Sequence, residues 1–297
     1  MGMPPPFPYY GGKRRVTDEV WKRLGNVRRY IEPFAGGASM LLGRPSHHTH
    51  ECEIINDKDG LLVNVWRAIQ HEAEGLLELI HRPGAQVDLY AVSKELQERK
   101  EPLLQHLQND IEYYDLELAS KWLWGVCYWK GSEWPSDSKK QPHDRPDGIL
   151  APSYEGTRLE WLEGLANRLH GVTIYCREWF ECVNSKRSRE GVGGRRPIGF
   201  FFDPPYADTH RTDKLYHEDS KTIVDDVREW CLKYQDHEDY RIVLCTFDSI
   251  DMPDSWICEK WSSRGTTTNK NRECLWFSPG CLTEKDRQPT FLQGMGV

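Results

Sequence analysis

The stretch "RRYIEPFAGGASMLLGR" at residues 28–44 decides the fold, because it joins a short apolar strand to a helix through a glycine turn. A second strand, "CEIIND", follows at residues 52–57, and the apolar spacing of "GLLVNVWRAIQ" at residues 60–70 predicts another helix. This alternation of strands and helices is typical of an α/β domain built on a parallel sheet.

Five further strands are predicted after the middle of the chain, at residues 171–176, 198–203, 241–247, 256–261 and 273–278. Residues 220–234 have helical spacing and separate two of these strands. Between residues 72 and 168 the spacing is helical, apart from a long loop rich in proline, glycine and charge. We therefore expect a sheet domain formed by residues 1–71 and 169–297, with residues 72–168 inserted as a mostly helical lobe.

The composition describes a polar globular chain of 297 residues, with 38% hydrophobic residues and a formal net charge of -7. That charge argues against a protein that coats nucleic acid without sequence preference, although a local basic face can still bind DNA. No apolar run reaches the ~18 residues of a membrane-spanning helix. The amino-terminal "MGMPPPFPYYGGKRR" lacks the apolar core of a signal peptide, so we expect a cytoplasmic protein.

The nine cysteines include no C-x-x-C pair, which predicts reduced and mostly buried thiols. A zinc site needs paired ligands at short spacing. The three histidines of "PSHHTHE" at residues 45–51 fall between a helix and a strand, where a solvated loop is expected. We expect a monomer that binds neither a metal nor a membrane.

The glycine turn at Gly36 allows backbone to approach a ligand closely. The dinucleotide fingerprint G-x-G-x-x-G is absent, because Ala38-Ser39-Met40 follow the glycines, and this argues against a NAD-dependent dehydrogenase. Asp57 follows Gly36 by about 20 residues, the separation at which an acid binds ribose hydroxyls in nucleoside-binding α/β folds. On spacing alone, Asp57 is equally a cap for the next helix.

A second candidate site is "DPPY" at residues 203–206, at the end of the buried strand "IGFFF". Asp203 and Pro204 both precede a proline, so both are restricted to extended backbone, and both proline φ angles are fixed. The Asp203 carboxylate and the Pro204 carbonyl become fixed acceptors, and Tyr206 adds an aromatic face. This corner suits a planar group that bears an NH₂; a rigid strand exit with a packed tyrosine is the alternative.

Four motifs occur in a fixed order: "PYYGGK" at residues 8–13, "EPFAGG" at 32–37, "IND" at 55–57 and "DPPY". In this order, with an insert before the last motif, the chain resembles the alpha group of the Dam-like DNA adenine-N6 methyltransferases over about residues 7–280. The resemblance implies a Rossmann-like methyltransferase sheet, an inserted helical lobe that recognises DNA, and S-adenosylmethionine as the methyl donor.

The resemblance also assigns cofactor-binding roles, to Tyr10, Gly12, Lys13, Glu32, Phe34, Gly36, Asp57, Glu178 and Asp203. It implies that "EPFAGG" lies near the methionine end of the cofactor, that Asp57 binds the ribose, and that Glu178 lies near the adenosine. "YYGGK" would close the pocket, with Lys13 close to both the cofactor and the target base.

For the target base, the resemblance implies that Asp203 and the Pro204 carbonyl accept the two N6 hydrogens of adenine and that Tyr206 stacks on its ring. The chemistry fits those residue types, since two fixed acceptors stabilise the positive charge that the amine gains. Transfer needs orientation and no covalent enzyme intermediate. A base inside a duplex cannot be reached, so it must be flipped out.

The inserted lobe would contact DNA, through Trp129 and Lys130, whereas Trp122 is expected in the lobe's core. Arg211 and Lys214 leave the sheet on the side of "DPPY" and are candidates for phosphate contacts. The basic stretch "SKRSREGVGGRRP" at residues 185–197 enters the opposite end of a strand, so a solvated loop is expected there.

Two other functions compete with DNA adenine methylation. An amino-methyltransferase that acts on RNA or on protein glutamine usually has Asn at the first position of the motif, where this chain has Asp203. A DNA-binding relative without catalysis is the other alternative, against which the intact Glu32, Asp57 and "DPPY" argue.

Overall fold

A computed structural model describes residues 2–9, 11–80, 84–129, 134–136, 145–151, 157–189, 197–205, 214–261, 273–283 and 286, with the backbone alone at 189 and 214–221. Seven strands form one mostly parallel sheet in the order β3-β2-β1-β4-β5-β7-β6. The strands are β1 Arg29–Glu32, β2 Cys52–Asn56, β3 Val172–Tyr175, β4 Ile198–Phe202, β5 Tyr240–Phe247, β6 Ile257–Trp261 and β7 Glu273–Phe277. All seven were predicted to within about two residues at each end, and the α/β fold class is confirmed.

The chain divides into two compact units. The first comprises Met1–Arg14, Glu32–Gly43 and Cys52–Glu190. In it, β2 and β3 pair in parallel, from Glu53 beside Val172 to Asn56 beside Tyr175. Its helices are α2 Ser39–Leu42, α3 Gly60–Ile80, α4 Gln86–Asn109, α5 Leu116–Tyr128, α6 Arg158–Leu169, α7 Trp179–Asn184 and α8 Lys186–Arg189, with a short 3-10 helix at Gly148–Leu150.

Helix α3 is buried over its first half because apolar residues occur on nearly all of its faces there. The helix is kinked at Glu72, whose φ of -148° and ψ of 54° are not helical. Within the described part of residues 72–168, no residue is in a strand, and α4, α5 and α6 supply the helices that the sequence predicts there.

A buried arginine ties the helices of the first unit to β3. The Arg67 guanidinium donates to the carbonyls of Ile174, Leu107, Asp110 and Tyr113, at distances between 2.8 and 3.1 Å. Arg67 therefore stabilises the carboxyl end of α4 and the turn after it, where helical carbonyls have no partner of their own.

The second unit comprises Arg15–Ile31, Arg44–Glu51 and Gly191–Val297. In it, β4 pairs in parallel with both β1 and β5, and β7 pairs antiparallel with β5 and β6. Every residue of β4 is buried, as expected for a strand with parallel neighbours on both sides. The unit's helices are α1 Thr17–Leu24 and α9 Lys214–Tyr234, and Trp230 of α9 packs against Phe200 and Phe202.

Among the helices of the described segments, none has both the length and the apolar character needed to cross a bilayer.

Candidate active site

The glycine turn of the first unit brings backbone and side chains unusually close together. Gly36 has a φ of 48°, in the left-handed region, and a Cβ at this position would collide with the ring of Tyr9. The Gly36 amide donates to Asp57 Oδ2 at 2.9 Å, and its carbonyl accepts from Trp66 Nε1 at 2.9 Å. The sequence therefore needs glycine here both for its backbone conformation and for space.

Asp57 follows β2 and faces this turn. Its Oδ1 accepts from the Asp59 amide at 3.0 Å, while the Asp59 carboxylate accepts from the Leu61 amide at 3.2 Å. The helix cap is thus supplied by Asp59, and Asp57 is not the cap of α3 that spacing alone allowed. Burial raises the pKa of Asp57 to about 6, although hydrogen bonds from the amides of Asp59, Gly36 and Lys58 oppose the rise.

Two aromatic side chains that contact each other come from separate turns of the first unit. Phe34 lies in the glycine turn and Trp179 begins α7 after β3; both are partly exposed, and their ring centroids are 6.2 Å apart. Glu178 forms an ion pair with Lys58 at 2.6 Å. We did not predict Trp179 as a site residue, although it directly follows the acid that the sequence singled out.

Glu32 is buried and Oε2 of its carboxylate accepts from the Leu41 amide at 3.2 Å. This hydrogen bond joins the end of β1 to the short helix α2. The predicted role of Glu32 near the methionine end of a cofactor stays a prediction.

The amino-terminal motif folds over the glycine turn through Tyr9, whose ring packs against Gly36 and Gly37. The Gly12 amide donates to the Tyr9 carbonyl at 3.4 Å. Lys13 is buried, and its Nζ donates to the Gly11 carbonyl at 2.9 Å. The sequence singled out Tyr10, which lies outside the described residues; the neighbouring tyrosine is the one placed at the turn.

In the second unit, Asp203 and Pro204 directly follow β4. Asp203 is partly exposed and Pro204 is buried, while Pro205 is exposed. Tyr206 and Arg211 lie outside the described residues, and Lys214 is described by its backbone alone, as the first residue of α9.

The predicted DNA contact at Trp129 is corrected by its burial. Its side chain is only 3% exposed, and its ring packs against Trp134 at a centroid distance of 5.2 Å. An indole in this position has no open face for a nucleic acid. Trp122 is also buried, which confirms its predicted place in the core. Lys130 lies outside the described residues.

The cysteines and the groups that could ligate a metal were also located in the described residues. No group of three or more His, Cys, Asp or Glu side chains there could hold a metal ion. All nine cysteines are free. Burial raises the pKa of Cys127 and of Cys182 to about 12, so these thiols stay protonated near neutral pH and are poor nucleophiles.

Residues 9–141 match the model of a family described as D12 class N6 adenine-specific DNA methyltransferase. A segment of 76 residues is 32% identical to the DNA N-6-adenine-methyltransferase of Escherichia phage P1, and one of 84 residues is 26% identical to the Type II methyltransferase M.MjaIII of Methanocaldococcus jannaschii. Each match covers 26% of this chain, and they span 10% and 29% of the two relatives' own lengths. The resemblance to adenine-N6 methyltransferases is confirmed over the matched residues, which include Gly36 and Asp57.

Proposed function

We propose that this chain, which carries the D12-class segment at residues 9–141, transfers a methyl group from S-adenosylmethionine to the N6 amine of adenine in DNA. The observation that carries the proposal is the contact between Gly36 and Asp57, which lies inside the matched segment. A carboxylate beside a turn where only glycine fits is what a bound nucleoside requires: an acceptor for ribose hydroxyls and backbone that allows close approach.

The residues of the first unit fit S-adenosylmethionine, which supplies an electrophilic methyl group on its sulfonium. The Asp57 carboxylate accepts from the amides of Gly36, Asp59 and Lys58, and a carboxylate has about four acceptor sites, which leaves capacity for a ribose hydroxyl. Phe34 and Trp179 offer aromatic surface to an adenine ring, and Glu178 offers it an acceptor. The Tyr9 ring packs against the glycine turn itself.

For the target amine, the proposal assigns the two acceptors to Asp203 and the Pro204 carbonyl, and ring stacking to Tyr206. The N6 lone pair is delocalised into the adenine ring, and acceptors on both hydrogens favour a more tetrahedral, more nucleophilic nitrogen. The nitrogen gains positive charge as the new bond forms, and the Asp203 carboxylate stabilises that charge.

For DNA, we assign phosphate contacts to Lys130, Arg211 and Lys214, and a place between cofactor and base to Lys13. The burial of Lys13 suits that role, because a cation held away from water interacts more strongly with nearby groups.

A methyl-transfer assay with tritiated S-adenosylmethionine tests the proposal on unmethylated duplex DNA, RNA and a protein extract. We expect label on adenine N6 of DNA. In Asp203→Ala the rate of labelling should fall by a factor of ~10²–10³, the usual effect of removing one preorganised partner. Asp251→Ala serves as the control, since the Asp251 side chain is fully exposed and pairs with Arg228.

Each alternative function has its own outcome in this assay. Label on RNA or on glutamine would replace the DNA assignment. DNA binding without label on any substrate would identify a relative that has lost catalysis. Asp203→Ala at the wild-type rate would remove the amine-holding role of "DPPY".

A further inference from the structure

The last residue of β2, Asn56, has a side chain that no part of the proposed chemistry uses. It is 1% exposed, and its amide makes three hydrogen bonds. Nδ2 donates to the Pro33 carbonyl at 3.0 Å and to the Arg177 carbonyl at 3.0 Å, and Oδ1 accepts from the Arg177 amide at 3.1 Å. Both donor hydrogens and the acceptor are therefore engaged with backbone.

These bonds join two turns that are far apart in the chain. Pro33 lies 23 residues before Asn56, and Arg177 lies 121 residues after it. Each turn continues directly into one side of the candidate cofactor site, to Phe34 in one case and to Glu178 and Trp179 in the other. The backbone adds a fourth bond, from the Ala35 amide to the Asn56 carbonyl at 2.9 Å.

We propose that Asn56 is a positioning residue for the adenosine part of the methyl donor. This inference rests on the proposed function of the site. Asn56 does not touch the ligand itself, because its polar atoms are already occupied. It sets the separation between Phe34 and the Glu178–Trp179 pair, while the next residue in the chain, Asp57, supplies the ribose acceptor.

The chemistry of this position admits few other side chains. Aspartate has the same shape but donates nothing, and its carboxylate would face two carbonyl oxygens. Leucine is close in size and leaves the Pro33 carbonyl and the two Arg177 backbone groups, which are buried or partly buried, without this partner. Glutamine carries the right groups on a stem that is longer by one methylene, which a closely packed interior tolerates poorly.

The chain provides a matched control in Asn64. Asn64 is also fully buried, and it makes the same kind of tie: Nδ2 donates to the Asp115 carbonyl at 2.8 Å, and Oδ1 accepts from the Asp115 amide at 2.7 Å. It joins α3 to the residue that begins α5 and makes these bonds to neither turn of the candidate cofactor site. Asn56→Asp and Asn64→Asp remove the same group from equally buried positions, so a general loss of stability affects both.

The experiment measures S-adenosylmethionine binding by calorimetry, thermal unfolding, and the KM values for cofactor and DNA. We expect both variants to unfold at lower temperature. Only Asn56→Asp should raise the dissociation constant and KM for the cofactor by about tenfold, the factor that corresponds to one net hydrogen bond. Its KM for DNA should stay unchanged.

The inference is overturned if Asn56→Asp binds the cofactor as the wild type does, or if Asn64→Asp loses the same affinity. If Asn56→Asp does not fold, Asn56→Ser takes its place under the same two criteria, because a serine hydroxyl is too short to reach both turns. Wild-type protein that binds no S-adenosylmethionine would refute the proposed function itself, and with it this role. If instead the wild type binds the cofactor and Asn56→Asp binds it equally well, only the positioning role of Asn56 is refuted.

Discussion

The protonation of Asp57 should control cofactor affinity near neutral pH. Burial raises its pKa to about 6 from an ordinary value of 3.8. A ribose hydroxyl donates better to the charged carboxylate than to the neutral acid, which itself carries a proton. Asp57→Asn keeps the shape of the side chain and removes the ionisation, so it separates the effect of charge from that of packing.

The expected size of the effect follows from that pKa. With a value of about 6, about one tenth of the molecules carry an ionised Asp57 at pH 5 and about nine tenths at pH 7. If the ionised form binds the ribose, the apparent affinity for S-adenosylmethionine should rise about tenfold over that interval. In Asp57→Asn the affinity should be weaker at pH 7 by about 1.5–3 kcal/mol, the value of a hydrogen bond to a charged group, and flat with pH.

Calorimetric titration of S-adenosylmethionine between pH 5 and 7.5 measures this directly. Asp59→Asn provides the control, because the Asp59 charge raises the pKa of Asp57 while its amide hydrogen bond is unaffected by the substitution. That variant should keep the pH dependence with a midpoint at lower pH. A wild-type affinity that does not change over this range would refute the reasoning, as would a pH dependence that survives in Asp57→Asn.

The free energy of unfolding should depend on pH with the opposite sign, falling as the pH rises. The folded pKa of Asp57 is raised, so its contribution is most favourable below the unfolded value of 3.8 and is lost as pH rises through about 6. The gap between the two values corresponds to at most about 3 kcal/mol, and the remaining exposure of the side chain reduces it. Without ligand, Asp57→Asn should therefore be more stable than the wild type in urea unfolding at pH 8, and about equally stable at pH 3.5.

Three further outcomes are expected. Tyr206→Ala should weaken binding of DNA that carries a flippable adenine by about 1–3 kcal/mol, as for other base-stacking aromatics. Tyr206→Phe keeps the ring and should not weaken that binding. Equal affinities of the two variants in fluorescence titrations would exclude stacking. Lys130→Ala and Arg211→Ala should each flatten the salt dependence of DNA binding by about 0.9 log units per log unit of salt. Charge reversal across 186–196 should change that salt dependence much less. If charge reversal had the larger effect, the DNA-binding face would lie elsewhere. Arg67→Met should lower the free energy of unfolding by about 3 kcal/mol or more, because buried carbonyls lose their donor. A loss below about 1 kcal/mol in urea unfolding would show that the hydrogen bonds of Arg67 contribute little to stability.

The strands and turns could be predicted because they follow local rules. The apolar run of β4 and the glycines after β1 impose their conformations within a few residues, whatever surrounds them. The contacts of single side chains could not be predicted in this way. Tyr9 and Tyr10 are adjacent and chemically equal, and the turn that Tyr9 covers is formed by residues more than twenty positions away. Sequence spacing alone cannot choose between them.

Burial and capping were equally hard to predict. Trp129 is buried against Trp134, so its burial depends on packing that no periodicity records. Trp179 joins the site because β3 places it opposite Phe34. Asp57 and Asp59 both precede α3 as plausible caps, and only the path of the backbone shows which one accepts from the helix.

Under the proposed function, Asp57 faces the ligand and Asp59 caps α3, so the two roles can be probed by substitutions at different positions. A single aspartate that served both would make every substitution ambiguous, since weaker binding could come from a frayed helix. Here Asp57 can be replaced while Asp59 still holds the first turn of α3, and Asp59 can be replaced while Asp57 still faces Gly36. Under the proposed function, nucleoside affinity can therefore change by substitution at Asp57 while the cap of α3 at Asp59 is kept.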